Sequence, residues 1–294
     1  YGGGGGLRKI GAGTLALGGT NTYLGATSVE AGTLRVDGNS SLAGGAVTVA
    51  SGATLSGTGT VGGATTIQSG ATLSPGASPG TLTFTQGLTL AGGGNYNWQV
   101  YDAAATAGSS TGWDLVSVGG VLDVAATSGS PFKINLWSLS GVAPDVSGSA
   151  VNFNAATSGT WRIASATGGI TGFSADKFTI NTSATNGTGG FANALSGGTF
   201  SVAQSGNNLN LVFSAASVGP TAIVINVGSG TTQTQGQAGY PSLSPSNALS
   251  VTKTGAGTLV FDAANTYTGT TLIQSGTLQM ASGGSLASSP VSVP

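Results

Sequence analysis

The sequence contains no histidine and no cysteine. With them go the commonest general base, the usual zinc ligands, every thiol nucleophile and every disulfide. Charge is scarce as well: seven Lys and Arg and eight Asp and Glu make charged residues 5% of 294 positions, against about 25% in an ordinary soluble domain. The seven cations are scattered and the net charge is −1, so there is no basic stripe for phosphates and no polybasic patch for a membrane surface. No nucleic-acid partner is expected. No apolar run approaches the ~18 residues of a membrane span, and no basic-then-apolar leader opens the chain. The composition speaks against an intracellular enzyme, and no cofactor is expected.

What the chain has in excess is glycine, 54 residues. Gly, Ser and Pro together make about a third of the sequence, a level that often marks low complexity. The 39% of hydrophobic residues argue against disorder, because they recur as Thr-Leu and Val-x-Val pieces between Gly or Asn punctuation. That is strand-and-turn patterning, and it predicts a folded all-β chain. The run Gly2 to Gly6 reads as a flexible arm or an undefined stretch and carries no functional reading.

The strongest signal is internal repetition. At an offset of 244 residues, Lys9 to Ala50 aligns with Lys253 to Pro294 without a gap, and 19 of 42 positions are identical. A shorter period lies inside it: the Gly that opens each Gly-Thr-Leu or Gly-Ala-Thr-Leu falls at Gly13, Gly32, Gly52 and Gly70, and again at Gly257 and Gly276. Spacings of 18 to 20 residues with short β-runs predict a parallel β-helix, or solenoid, with coils of about 19 residues. In such a coil Leu15, Leu34, Leu55 and Leu73, and likewise Leu259 and Leu278, stack as an inward core ladder. Thr and Ser take the outward positions, and Gly and Asn take corners that need positive φ.

Four sections follow from the pattern. Residues 7–94 are regular coils; 95–218 form a wider aromatic-rich section holding all four Trp residues; 219–250 are a strand plus a Gln/Ser/Pro-containing excursion; 251–294 repeat the coils of 7–50. The strand Asn207 to Phe213 is expected to close the wide section.

The order Gly-Ala-Gly-Thr-Leu, Asn-Thr-Tyr, Gly-x-Thr, Gly-Thr-Leu at 11–34 and 255–278 resembles the autotransporter-associated β-strand repeat of bacterial passenger domains. The resemblance is tight at the two ends and looser between, through Gly57 to Gly63, Leu73 to Leu82 and Gly168 to Phe173. It implies a right-handed β-helix exported to the bacterial surface as stalk, adhesin or filament. The family's carboxy-terminal membrane barrel and any sorting anchor are missing from the sequence, so a fragment or another route to the surface is expected. The resemblance transfers no catalytic residue.

Candidate sites weigh lightly beside structural roles. Eight carboxylates are present: Glu30, Asp37, Asp102, Asp114, Asp123, Asp145, Asp176 and Asp262. Asp114, Asp123, Lys133 and Arg162 lie in the aromatic section where a polysaccharide-cleaving β-helix would gather acids and bases on one face, but turn and corner roles are the commoner use of Asp. No calcium-binding nonapeptide or Asp-x-Asp-x-Asp loop occurs. Trp98, Trp113, Trp137 and Trp161 would make a glycan-stacking platform or fill a broad coil, the second being favoured. Asn39, Asn181 and Asn186 fit the N-glycosylation acceptor pattern by chance. Thr252-Lys253 belongs to the repeat, with its counterpart at Lys9.

Both ends of the chain fall within versions of one coil, and neither shows a cap. Val291 and Val293 therefore mark a candidate self-assembly end. The expected partner is the chain itself, as a head-to-tail polymer or a tandem continuation, with surface glycans second. The functional expectation is an extracellular structural protein of a bacterial surface. The alternative is carbohydrate binding or cleavage by the aromatic section.

Overall fold

The computed structural model describes residues 4–76, 78–142, 145–216, 222–244, 250–286 and 290–294. Gly2 and Gly3 of the glycine run, and 219–221 and 245–249 of the excursion, lie outside the described residues. The fold is all-β; the 3-10 turn Ala175–Lys177 is the one helical element among the described residues. No helix there is long and apolar enough to cross a membrane. The chain divides into two compact units, Tyr1–Ala216 and Ser217–Pro294.

In the first unit the chain visits three sheets in rotation. The first sheet orders Leu7–Lys9, Thr27–Val29, Val47–Val49, Thr65–Ile67, Leu88–Leu90, Leu122–Val124 and Ile170–Thr171, every neighbour parallel. The second stacks Thr14–Leu17, Gly32–Val36, Ala53–Gly57, Thr72–Pro75, Asn95–Val100 and Phe132–Val142, again parallel. The third runs Asn39–Ser40, Thr60–Val61, Thr81–Phe84, Leu115–Val118 and Gly159–Ala166. Parallel strands cannot be joined by tight hairpins, so each must pair with a strand one full step of the chain away. The arrangement is consistent with a parallel β-solenoid.

Register follows the apolar pattern. Leu15 pairs with Leu34, Leu34 with Leu55, Leu55 with Leu73, Leu73 with Tyr96 and Tyr96 with Ile134. The step is 19 residues from Leu15 to Leu34 and 18 from Leu55 to Leu73, then widens to 38 from Tyr96 to Ile134. Side chains alternate faces along a strand, so this register keeps one row inward and sets Thr or Ser beside it. The outward row of the first sheet runs Ser28, Thr48, Thr66 and Thr89.

The corner Gly32 has φ +66°, and a Cβ there would sit 2.5 Å from the carbonyl oxygens of Gly11 and Gly13. Gly276, at φ +75°, meets the carbonyls of Gly255 and Gly257 in the same way. Both conditions, a left-handed backbone and a close neighbouring chain, admit only glycine.

The parallel rotation of the first unit ends on antiparallel strands. Asn208–Ser214 runs antiparallel to both Gly159–Ala166 and Thr199–Ser205, and Asp145–Ser147 turns back on Phe132–Val142. Phe153, Phe191, Phe200, Phe213 and Trp161 pack there, with Phe153 about equally close, at 5.0 Å, to Phe191 and Phe213.

The second unit repeats the plan at smaller scale. Ala222–Asn226, Ser250–Thr254, Thr271–Ile273 and Val291–Ser292 form one parallel sheet. Thr232–Thr234, Thr258–Phe261 and Thr277–Met280 form a second, and Ala264–Asn265 pairs with Ser285–Leu286 in a third. Its core is separate, built on Ile223, Ile225, Val227, Leu243, Val251, Leu259, Phe261 and Tyr267.

Candidate functional site

Leu34, Leu55 and Leu73 are buried to 2%, 0% and 1% exposure, with Leu15 half-buried beside them. In the second unit Leu259, buried, pairs with half-buried Leu278. These residues hold the stack and offer nothing to a ligand.

The repeat carries a polar corner that the sequence pattern gives no hint of. Lys9 turns inward, and its Nζ donates to the carbonyls of Ile10, Gly11 and Ala31 at 3.0, 2.6 and 2.8 Å. Lys253 does the same toward Thr254, Gly255 and Ser275, at 2.7, 2.6 and 3.0 Å. An ammonium has three donors and each lysine spends all three, two on its own corner and one on the next step of the chain. Burial holds the Lys253 amine below the usual lysine range. The hydroxyls of Tyr23 and Tyr267 meet Thr27 and Thr271 at 2.7 and 2.6 Å. The two lysines are therefore structural clamps rather than nucleophiles or bases waiting for a substrate.

The aromatic section is core. Trp98, Trp113 and Trp161 are buried, and their indole N–H groups donate to the carbonyls of Asp114, Arg162 and Ala103 at 2.9, 3.0 and 2.9 Å. Trp137 is half-buried and donates to Ser147 Oγ at 2.8 Å. Trp98 and Trp161 pack with Phe153, Phe191 and Phe200 around a gap too small to admit a water molecule.

The carboxylates and cations grouped by sequence are spread over the three sheets. Asp123 lies on the first, Lys133 on the second and Arg162 on the third. Asp114 is fully buried, its Oδ1 accepting from the Gly80 N–H and its Oδ2 from the Gln99 N–H, both at 2.9 Å. Burial pushes this carboxyl well above the usual range and outweighs the two N–H groups, with Asp145 adding to the rise. Asp145 accepts from Ser78 Oγ at 2.8 Å and from Gln99 Nε2 at 2.7 Å. Glu30 and Asp37 pair with Arg8 and Arg35 at 2.6 and 2.7 Å on the surface. Two backbone N–H groups clamp Asp114, and ring packing holds the aromatic block: both are supports.

Asn39 and Asn181 accept from the backbone N–H two residues on, as turn residues do. Asn186, at φ +49°, donates to Thr72 Oγ1 and Asn97 Oδ1, and Asn135 donates to Asn97 Oδ1. This carboxamide row, buried at Asn97 and Asn135 and exposed at Asn186, has no sequence signature, because its members come from distant parts of the chain.

The family model of the passenger-associated-transport-repeat matches residues 7–36 and 251–280. The two stretches are the ones that carry the lysine clamp, the Tyr–Thr pair and the corner glycine. Residues 7–36 and 251–280 are passenger-associated-transport repeats. No curated protein matches the chain.

The two transport repeats differ in what covers them. The second has the strands Ala222–Asn226 and Thr232–Thr234 on its leading edge. On the first, no strand among the described residues pairs with that edge of Leu7–Lys9 or Thr14–Leu17. Val291 pairs with Thr271, and Val291 and Val293 are 52% and 69% exposed.

Proposed function

We propose that this chain is a structural segment of a secreted or cell-surface bacterial protein, a right-handed parallel β-helix whose regular coils of about 19 residues act as a stalk. The observation that carries this reading is the coincidence of transport repeats with parallel sheets visited in rotation. Transport-repeat passengers are displayed outside the cell, and a stack of short coils makes length cheaply, each coil adding one strand spacing of about 4.8 Å. The low net charge and hydroxyl exterior suit a rod packed among neighbours. The buried indoles favour this role over a glycan platform, since a ring buried on both faces has none left for a sugar.

Electron microscopy of the purified chain across a dilution series tests the reading. Short rods of constant length are the stalk. Fibres that lengthen with concentration assign it to the head-to-tail filament, through the end marked by Val291 and Val293. Round particles at every concentration overturn both.

A further inference from the structure

The sequence holds one Asn-Gly pair, Asn186-Gly187, and it forms the tip of a strap laid across the second sheet. Thr188 N–H donates to the Thr185 carbonyl at 2.8 Å, and Asn186 and Gly187 between them have φ +49° and +82°. Two left-handed central residues closed by such a bond make a type I′ turn, for which Asn-Gly is the preferred pair.

The strap is fastened at two places. At its far end Ser138 Oγ takes the Ala192 N–H at 2.7 Å, and Asn193 bonds the Ala150 N–H and carbonyl at 2.7 and 3.0 Å. At the tip the Asn186 carboxamide spends both Nδ2 protons, on Thr72 Oγ1 at 2.9 Å and on Asn97 Oδ1 at 3.1 Å. Asn97 Nδ2 donates back to the Asn186 carbonyl at 2.9 Å, and Asn135 Nδ2 takes the second place on Asn97 Oδ1 at 3.0 Å. Asn97 is thereby fixed from three sides. Turning its carboxamide over would set its oxygen against the Asn186 carbonyl and its nitrogen against two other Nδ2 groups.

Asparagine before glycine carries a reaction of its own. The Gly187 nitrogen, with no side chain beside it, attacks Asn186 Cγ; the carboxamide nitrogen leaves as ammonia, carrying off the amide proton, and a succinimide ring closes. Water then opens the ring at either carbonyl, so that asparagine and water become aspartate or isoaspartate and ammonia. Water has access here, since Asn186 and Gly187 are exposed and nothing lies within 4 Å of where a Gly187 Cβ would stand. Asn95, Asn97, Asn135 and Asn265, by contrast, are buried. In the closed turn the two Nδ2 bonds hold the carboxamide still, and ring closure waits for the tip to lift.

We infer that Asn186-Gly187 is a deamidation site whose conversion unlatches the tip of the strap, residues 183–188, from the second sheet. Aspartate at 186 has no N–H to give. The Thr72 hydroxyl can turn and donate to it, but Asn97 Oδ1 then faces a carboxylate oxygen where it had a donor. Isoaspartate also adds a methylene to the main chain and breaks the turn. The far fastening at Ser138 and Asn193 is untouched, so the strap opens at one end only. The latch works in one direction, and it does so whether or not the coils serve as a stalk.

The test is ageing of the purified full chain at neutral pH, followed by peptide mapping in the mass spectrometer. Aspartate and isoaspartate at 186 are expected before conversion at any other asparagine. Thr72→Val keeps the shape of the side chain and removes one acceptor, and should speed conversion at 186 severalfold without touching other sites. Converted chains carry one further negative charge, so anion exchange separates them from the remainder already folded. In them hydrogen exchange of 183–188 should rise about tenfold, the scale set by a buried acceptor that loses its donor, while 190–193 stay protected. Conversion elsewhere first, or an unchanged rate in Thr72→Val, overturns the inference. So does exchange at 183–188 that is the same before and after conversion.

Discussion

Lys253 illustrates how a residue with chemical potential is absorbed by structure. Replacing it with Met keeps the volume and leaves three carbonyls short of a donor, each costing about 1–3 kcal/mol if it stays dry. Lys253→Met is expected to raise hydrogen exchange across 251–280, whereas Lys253→Arg, too long for the corner, should do so as well. Asp114 contributes a pH dependence to the first unit. Its folded-state pKa lies above its unfolded value, so the folded chain holds the proton more tightly. Its stabilising contribution is full below the unfolded value near 3.8 and is lost as pH rises through the folded one. Thermal unfolding followed by tryptophan fluorescence should show that decline in the wild type and a flatter profile in Asp114→Asn; identical slopes would refute the assignment. Neither role is legible in sequence. The recurrence of Lys9 and Lys253 marks them as part of the repeat, but the three carbonyls that claim each lysine are visible only once the corner closes. The carboxamide row through Asn97, Asn135 and Asn186 is hidden for a related reason, since no local spacing connects residues 89 positions apart.

Along a strand the two faces diverge sharply in cost. Leu55 is at 0% exposure and Thr54, next to it, is half-buried and faces outward. Leu55→Ala should cost about 2–5 kcal/mol by denaturant unfolding, and Thr54→Ala should stay within about 0.5 kcal/mol. Gly276→Ala combines a positive φ with backbone carbonyls in the way, so it should exceed the ~1–2 kcal/mol of a left-handed residue alone. At this scale the sequence is most informative. The Gly-Thr-Leu spacing places Leu15, Leu34, Leu55 and Leu73 in one row because each short step contains nothing but strand and corner. Past Tyr96 the step doubles, the inserted residues pack as loops under Trp113 and Trp161, and no period survives to be read. Asn208–Ser214 announces itself as a strand through its alternation. Its antiparallel direction depends on its partner Thr199–Ser205, and alternation is the same in either direction.

For the whole molecule, the placement of the seven cations decides how it meets a protease. Arg8 and Lys9 lie in Leu7–Lys9, Arg35 in Gly32–Val36, Lys133 in Phe132–Val142, Arg162 in Gly159–Ala166, Lys253 in Ser250–Thr254, and Lys177 in the turn Ala175–Lys177. Every one is inside a hydrogen-bonded element, and Lys9 and Lys253 are buried besides. A protease must draw several residues of loose chain into its cleft, and loops are where folded proteins supply them. Here the loops hold no basic residue. A trypsin-like enzyme, which cuts after Lys or Arg, should leave the native chain intact for hours while cutting it within minutes in urea; an elastase-like enzyme, which accepts Ala and Val, should find its sites in the loops. The poverty of charge with which the sequence begins is thereby also a form of durability, selective for one kind of digestion and leaving the other open.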